Sequence, residues 1–318
     1  MSLVRTGSAA IELADMATKA RSFVAASRSE NTRRAYRSDG DHFAAWCDHR
    51  GLSSLPADPT TVALYITDMA ETLRPSTISR RLVSIAQAHK AAGHPSPTSD
   101  ERVRLVNAGI RRAHGVAPRQ VRPVVTDDLR RMVATCGDNP AGVRDRALLL
   151  LGFAAALRRS ELVALDADDV EETRDGLVVT VLRSKADQEA SARKIGVPYG
   201  SNPSTCLVRA WRAWIQGAGI TAGPLFRGVD RHGRIASIRL SDRSVALIVK
   251  RRAELIGIDP ATVSSHSLRA GLATAAAAAG ASEGAIAATT GHKSMTVLRG
   301  YIRAGNLFND NAAAAVGL

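Results

Sequence analysis

The sequence predicts a mainly α-helical protein with a small β-sheet. It divides into a helical N-terminal domain over residues 1–114, a linker over 115–124 and a mixed α/β domain over 125–318. Three observations predict this. Apolar residues recur at helical spacing almost throughout. One pair of short β-branched runs, residues 176–183 and 192–198, has the composition of paired strands. The segment 115–124 holds Pro118 and Pro123, which lack backbone donors and push their predecessors into extended geometry.

In chain order, a weak helical pattern over 11–26 comes first. A stronger one over 30–50 follows, with Tyr36, Phe43 and Cys47 on one stripe and Trp46 beside it. Asp58-Pro59 opens a helix carrying Val62, Leu64, Ile66 and Met69, and Pro75-Ser76 opens another with Ile78, Leu82, Ile85 and His89 on one face. A helix over about 99–114 turns Val103, Val106 and Ile110 inward. After the linker, Thr126-Asp127-Asp128 is expected to cap a helix reaching Cys136, and residues 143–156 form a helix apolar almost all round, hence central. The two strands follow, with a polar loop between them. Leu207, Val208, Trp211, Trp214 and Ile215 form a helical stripe, Ser241 caps a helix to about Ile256, and short helices run on from His266.

Composition excludes several classes. The 318 residues are 45% hydrophobic and 23% charged, enough apolar content for two cores and too much for wholesale disorder. The longest apolar runs, residues 273–279 and 312–316, fall far short of the ~20 residues that span a bilayer. The first sixteen residues carry acids and no continuous apolar stretch, so an intracellular protein without a signal peptide is expected. Cys47, Cys136 and Cys206 are odd in number and far apart, which argues for reduced structural thiols rather than disulfides or a zinc site. The formal net charge is +13, and it is shared: 18 Lys and Arg face 11 acids before residue 124, and 25 face 19 from there on. Two basic halves fit a long polyanion touched by both, with nucleic acid the leading choice.

Familiar hydrolase, metalloprotease and nucleotide-binding motifs are absent from the sequence. What stands out instead is a dispersed basic set with one tyrosine. Leu157-Arg158-Arg159-Ser160-Glu161-Leu162 ends the central helix, and Lys185 sits at the hairpin tip. His266-Ser267-Leu268-Arg269 opens an Ala-rich helix and puts His and Arg on one face, and Gly291-His292 precedes Tyr301 by nine residues. In this order and spacing the set resembles the tyrosine recombinase (phage integrase) family. The family signature runs Arg-x-[Ser/Ala]-Glu-[Leu/Ile], a hairpin Lys, His-x-x-Arg, Gly-[His/Trp] and Tyr. Within the family the stretches around Trp46-Cys47, His266-Ser267 and Tyr301-Ile302-Arg303 look most like Cre-type members. Each motif alone is weak; five in series are specific.

The resemblance implies a helical core-binding (SAM-like) domain and a catalytic domain forming a clamp round DNA. It also implies strand transfer through a 3′-phosphotyrosyl bond, without ATP, metal or any other cofactor. Tyr301 is then the nucleophile, Arg158 and Arg269 bind the phosphate, His266 is the base and later acid, Lys185 protonates the leaving 5′ oxygen, His292 hydrogen-bonds the phosphate, and Glu161 supports the arginines. The chemistry agrees: guanidiniums are permanently charged and bidentate to phosphate, and a tyrosine of ordinary pKa near 10 must lose its proton to a base during attack. Arg159 remains an alternative to Arg158, and Lys194 to Lys185. Where the family often has Thr-Gly before Leu-Arg, this chain has Ala155-Ala156.

For DNA, helices over 30–50, 75–91 and 241–257 would enter major grooves. Arg243 is the expected base contact, and Arg33, Arg34, Arg37, Arg80, Arg81, Lys90, Arg119 and Arg122 are expected on phosphates. The apolar segment 307–318 is expected to dock on a neighbouring protomer. The implied partners are double-stranded DNA with an inverted-repeat site and a homotetramer across two sites, at the nucleoid of the cytoplasm and not at a membrane. The competing classes are a non-catalytic DNA-binding protein and a monomeric type IB topoisomerase-like nicking-closing enzyme.

Overall fold

The computed structural model describes residues 12–13, 15–20, 22–24, 27, 29–115, 121–182, 192–292 and 294–306. The chain divides into two compact units, residues 1–119 and 120–318.

In the first unit the described positions between 12 and 24 are helical (α1). Helices α2 (Glu30–Asp48), α3 (Pro59–Ala70), α4 (Pro75–Ala91) and α5 (Glu101–His114) follow, with a 3₁₀ turn at Pro97–Ser99. Ser29, Asp58 and Asp100 cap α2, α3 and α5 by accepting from backbone N–H groups of Thr32, Thr60 and Arg102. Phe43, Trp46, Cys47, Val62, Tyr65, Ile66, Ile78, Leu82, Ile85, Val103 and Ile110 form one core. Leu64 is exposed, contrary to expectation, because it falls off the face set by Val62, Tyr65, Ile66 and Met69; Tyr65 takes the core position instead. His89 is buried as a structural group. Its Nε2 accepts from Ala57 N at 2.9 Å and its Nδ1 donates to Ile85 O at 2.8 Å.

The second unit is built on α7 (Pro140–Ala154), in which Leu148, Leu149, Leu150, Leu151 and Phe153 are all buried. At ~1.5–3 kcal/mol for each large apolar side chain removed from water, this helix is the main anchor of the core. Its first half is not apolar, however. Arg144 and Asp145 are also buried, and the fully enclosed Asp145 carboxylate receives Arg144, Arg251 and Arg252 at 2.6, 2.9 and 2.7 Å. This ties α7 to α10 (Asp242–Glu254), which Ser241 caps as predicted. Before α7 lies α6 (Thr126–Ala134). Its N-cap position is Val125, so Thr126 is the first helical residue rather than the cap; Asp127 and Asp128 sit in the first turn, where the helix dipole favours acids.

After α7 come α8 (Arg159–Ala164) and a three-stranded antiparallel sheet in the order β1 (Val170–Thr173), β2 (Gly176–Val181), β3 (Arg193–Pro198). The predicted hairpin is β2–β3, with Val181 opposite Arg193 and Thr180 opposite Lys194. β1, short and acidic, gave no strand pattern, nor did the two-stranded ribbon β4 (Arg227–Val229) and β5 (Ile235–Arg239). Helix α9 (Leu207–Gly217) buries Trp211 and Trp214, and the Trp214 indole N–H donates to Leu225 O at 2.8 Å. The last helices are α11 (His266–Ala278), α12 (Glu283–Thr290) and α13 (Met295–Gly305). Gly271 on α11 is required by a close approach: a Cβ there would collide with the Val124 carbonyl, on the segment whose Val124 N–H donates to Ser267 O at 2.9 Å. Residues 121–125 therefore pack into this unit, although the sequence reading placed 121–124 in the linker. All three cysteines are buried thiols. Among the described residues, no helix is long and apolar enough to cross a membrane.

Candidate active site

The motif residues of the second unit come from four separate elements. Arg158 occupies the N-cap position of α8. Glu161, one turn on, has a fully enclosed side chain and grips Arg158 twice: Oε1 accepts from Arg158 Nη1 at 2.5 Å and Oε2 from the Arg158 backbone N–H at 2.9 Å. Arg159 points elsewhere, pairing with Asp242 at 3.2 Å, so the cluster contains Arg158 and not Arg159.

Arg269, on α11, is only 1% exposed. Its Nη1 donates to the Ala156 carbonyl at 2.7 Å, while its Nη2 is buried without a hydrogen-bond partner. Ala156 holds that carbonyl in place with a left-handed backbone, φ 50, a conformation that costs a residue with a Cβ ~1–2 kcal/mol. This is the position where the family's Thr-Gly pair puts glycine. Burial first, and then repulsion from Arg158, bring the Arg269 pKa down to about 10, so it remains a cation at neutral pH.

The α11–α13 pairing brings His266 to Tyr301, with Nε2 and Oη 2.9 Å apart. Desolvation and then the Arg269 and Arg158 charges hold His266 below its usual pKa, leaving a neutral ring able to accept the tyrosine proton. Burial pushes the Tyr301 hydroxyl up, and Arg269 opposes that rise. His292 follows Gly291, which ends α12 in the left-handed conformation with φ 62. The His292 ring centroid lies 5.8 Å from that of Tyr301, and its Nδ1 is 2.7 Å from Thr290 Oγ1. Burial and four cationic or imidazole neighbours lower its pKa to about 4. The site thus sets two neutral imidazoles and one phenol against fixed guanidiniums. Such a set can bind a phosphodiester, stabilise added negative charge and move a proton from phenol to imidazole.

Lys185 lies outside the described residues. Lys194 is exposed, on the face of β3 opposite the buried Ile195 and Val197. Arg193, which sequence reasoning missed, lies on the inward face with them. Its Nη1 donates to Thr289 O at 2.9 Å, its Nη2 stands 3.8 Å from Glu161 Oε2, and its guanidinium packs against Gly291 where a Cβ would sit. A period-two count from Ile195 back along the strand would have found it.

Of the arginines expected on DNA, Arg33, Arg34 and Arg37 are exposed on α2, as is Lys90 at the end of α4, and Arg243 is exposed at the start of α10. Arg80, exposed, and Arg81, mostly buried, also hold partners within the first unit. Arg80 forks the buried Asp39 carboxylate at 2.8 and 2.9 Å, and Arg81 donates to Tyr65 Oη at 2.7 Å. Arg122 pairs with Asp128 at 3.0 Å, and Arg119 lies outside the described residues.

Residues 124–306 match the phage integrase family. A curated integrase/recombinase xerD homolog of Selenomonas ruminantium is 38% identical over 93% of this chain and 88% of its own length. Tyrosine recombinase XerD of Xanthomonas axonopodis is 30% identical over 86% and 87%. These relatives are Xer-type, where the motifs had pointed to Cre-type members. Among solved structures, a lambda integrase dimer bound to a core site superposes with a TM-score of 0.60 at 16% identity, covering 87% of this chain and 90% of that one. With the family matched over more than half the chain and a relative of that identity spanning nearly all of it, this chain belongs to the phage integrase family, the tyrosine recombinases.

Proposed function

We propose that the chain recombines DNA at a specific site, cutting and rejoining strands through Tyr301. The observation that carries this reading is the 2.9 Å contact between Tyr301 Oη and His266 Nε2, set beside the Arg158–Glu161 pair and the buried Arg269. His266 accepts the phenol proton as Tyr301 Oη bonds to the scissile phosphorus. The bond to the 5′ oxygen breaks, Lys185 supplies the proton that leaves with it, and a 3′-phosphotyrosyl link remains. Arg158 and Arg269 neutralise the charge that grows on the non-bridging oxygens, which is the largest demand of a phosphoryl transfer. Because the phosphotyrosine conserves the bond, an incoming 5′-hydroxyl reverses the step without ATP.

In this reading residues 1–114 are the core-binding domain and 125–318 the catalytic domain. Arg33, Arg34, Arg37 and Lys90 supply phosphate contacts, and Arg243 at the start of α10 reads bases. An apolar cavity of about 440 Å³ on the second unit, lined by Leu129, Leu150, Phe153, Val197, Leu272 and Ile286 among others, supports docking of segment 307–318 from a second protomer in a tetramer on two sites. Covalent trapping tests the reading. Wild type and Tyr301→Phe are mixed with a random-sequence duplex library and quenched in denaturant, and protein-linked DNA is sequenced. Covalent DNA from the wild type alone, sharing one inverted repeat, is the expected result; covalent DNA from both proteins would move the nucleophile away from Tyr301.

A further inference from the structure

Arg193 belongs to no motif of the family signature, yet it stands between two arms of the site. On one side its Nη1 donates to the Thr289 carbonyl at 2.9 Å. That carbonyl lies in the last turn of α12, where C=O groups lack intrahelical donors and the dipole favours a cation. The guanidinium continues over Gly291, where a Cβ would come within 2.9 Å of Arg193 Cζ. Gly291 immediately precedes His292, and its left-handed φ of 62 turns the chain off the helix. On the other side Nη2 stands 3.8 Å from Glu161 Oε2, the oxygen that accepts the Arg158 backbone N–H.

These contacts limit the role Arg193 can have. Nη1 is engaged by Thr289 O and Nη2 is buried, so neither terminal nitrogen is offered to a substrate. At 3.8 Å the link to Glu161 is coulombic rather than a hydrogen bond, and Glu161 keeps Arg158 by two hydrogen bonds of its own. Loss of Arg193 therefore leaves the Arg158–Glu161 pair in place and releases the end of α12. We propose that Arg193 is a positioning residue whose guanidinium ties the C-terminus of α12 to Glu161 and thereby holds His292 at the reacting phosphate. Gly291 then serves twice, making the left-handed turn and leaving room for the guanidinium. The Thr290 hydroxyl, 2.7 Å from His292 Nδ1, steadies the ring, while Arg193 steadies the backbone that carries it. This inference rests on the recombinase reading for its effect on cleavage and on packing alone for the contact.

Two double-variant comparisons test it. On the duplex recovered by trapping, Arg193→Ala should form phosphotyrosine about ten-fold more slowly with DNA affinity unchanged. Arg193→Lys should recover part of that rate, because an ammonium keeps the charge but lacks the planar fork. In a His292→Ala background the same Arg193→Ala change should cost less than about two-fold, since the residue it places is gone. A purely structural Arg193 costs the same in both backgrounds, and that result overturns the proposal. The contact itself is read without DNA. Gly291→Ala should lower the melting temperature of the wild type by about 2–4 °C more than that of Arg193→Ala, the left-handed strain being common to both. Equal shifts overturn the proposal as well. If Arg193→Ala does not fold, Arg193→Lys carries both comparisons, with smaller differences of the same sign expected. A wild type that never forms covalent DNA sinks the recombinase reading and the role in cleavage with it, whereas a Gly291 shift that depends on Arg193 still upholds the contact.

Discussion

Glu161→Gln isolates the one acid in contact with the guanidinium cluster among the described residues. The substitution keeps volume and removes charge from a side chain with no exposure, whose two oxygens meet Arg158 at 2.5 and 2.9 Å and Arg193 at 3.8 Å. An amide can offer an oxygen to only one of these donors and turns an N–H₂ toward the other. Breaking a fully buried ion pair typically costs ~3–5 kcal/mol. The Arg158 side chain keeps 23% of its surface exposed and recovers some hydration, so about 2–3 kcal/mol is the sounder figure here. In a unit of about 200 residues that lowers the melting temperature by roughly 5–10 °C. Calorimetry of the full chain measures it. Sulfate should stabilise the variant more than the wild type, since the anion supplies the missing countercharge. A shift under about 1 °C, or equal sulfate response in the two proteins, would refute the view that Glu161 holds the arginines together.

Four further outcomes are expected. Asp145→Asn should cost ~3–5 kcal/mol in urea unfolding, because Arg144, Arg251 and Arg252 lose the enclosed carboxylate they share. Ala156→Gly should be stabilising by about 0.5–1 kcal/mol in the same assay, the ~1–2 kcal/mol relief at φ 50 exceeding the extra chain entropy of glycine. Stability should fall as pH drops from about 6.5 to about 4: unfolded His292 takes a proton in that window while the folded ring, at about 4, does not, and His292→Gln should flatten that part of the profile. Finally, Arg34→Ala should weaken DNA binding across sequences and reduce its log–log salt slope by about 1, whereas Arg243→Ala should relax preference at one base pair. Equal salt slopes for wild type and Arg34→Ala would place Arg34 away from phosphate.

Local chemistry made much of the fold legible. Asp58-Pro59 and Ser241 mark helix starts because a side-chain oxygen must meet the orphan N–H groups there, and both cap as expected. Elements with weak local preference escaped. β1 carries two glutamates in four residues, and β4 and β5 are three and five residues long, so their pairing comes from neighbours rather than from their own pattern. Leu64 and Tyr65 exchanged roles because a one-residue step on a helix is a 100° turn, and hydrophobicity alone does not choose the face.

The order of residues by itself determined the family and the chemical types at the site, since Arg158, Glu161, His266, Arg269, His292 and Tyr301 keep fixed spacing within short motifs. Tertiary structure decided what each side chain faces. It turned Arg158 to Glu161 and Arg159 to Asp242, spent Arg80 and Arg81 on the buried Asp39, and placed Arg193 and Thr290 around His292. The reason is physical. A motif records which groups a reaction needs, but a charge or hydroxyl takes its role from the partner that packing brings within about 3 Å, and several of those partners, Asp242, Asp39 and Thr289 among them, are many residues away in the chain.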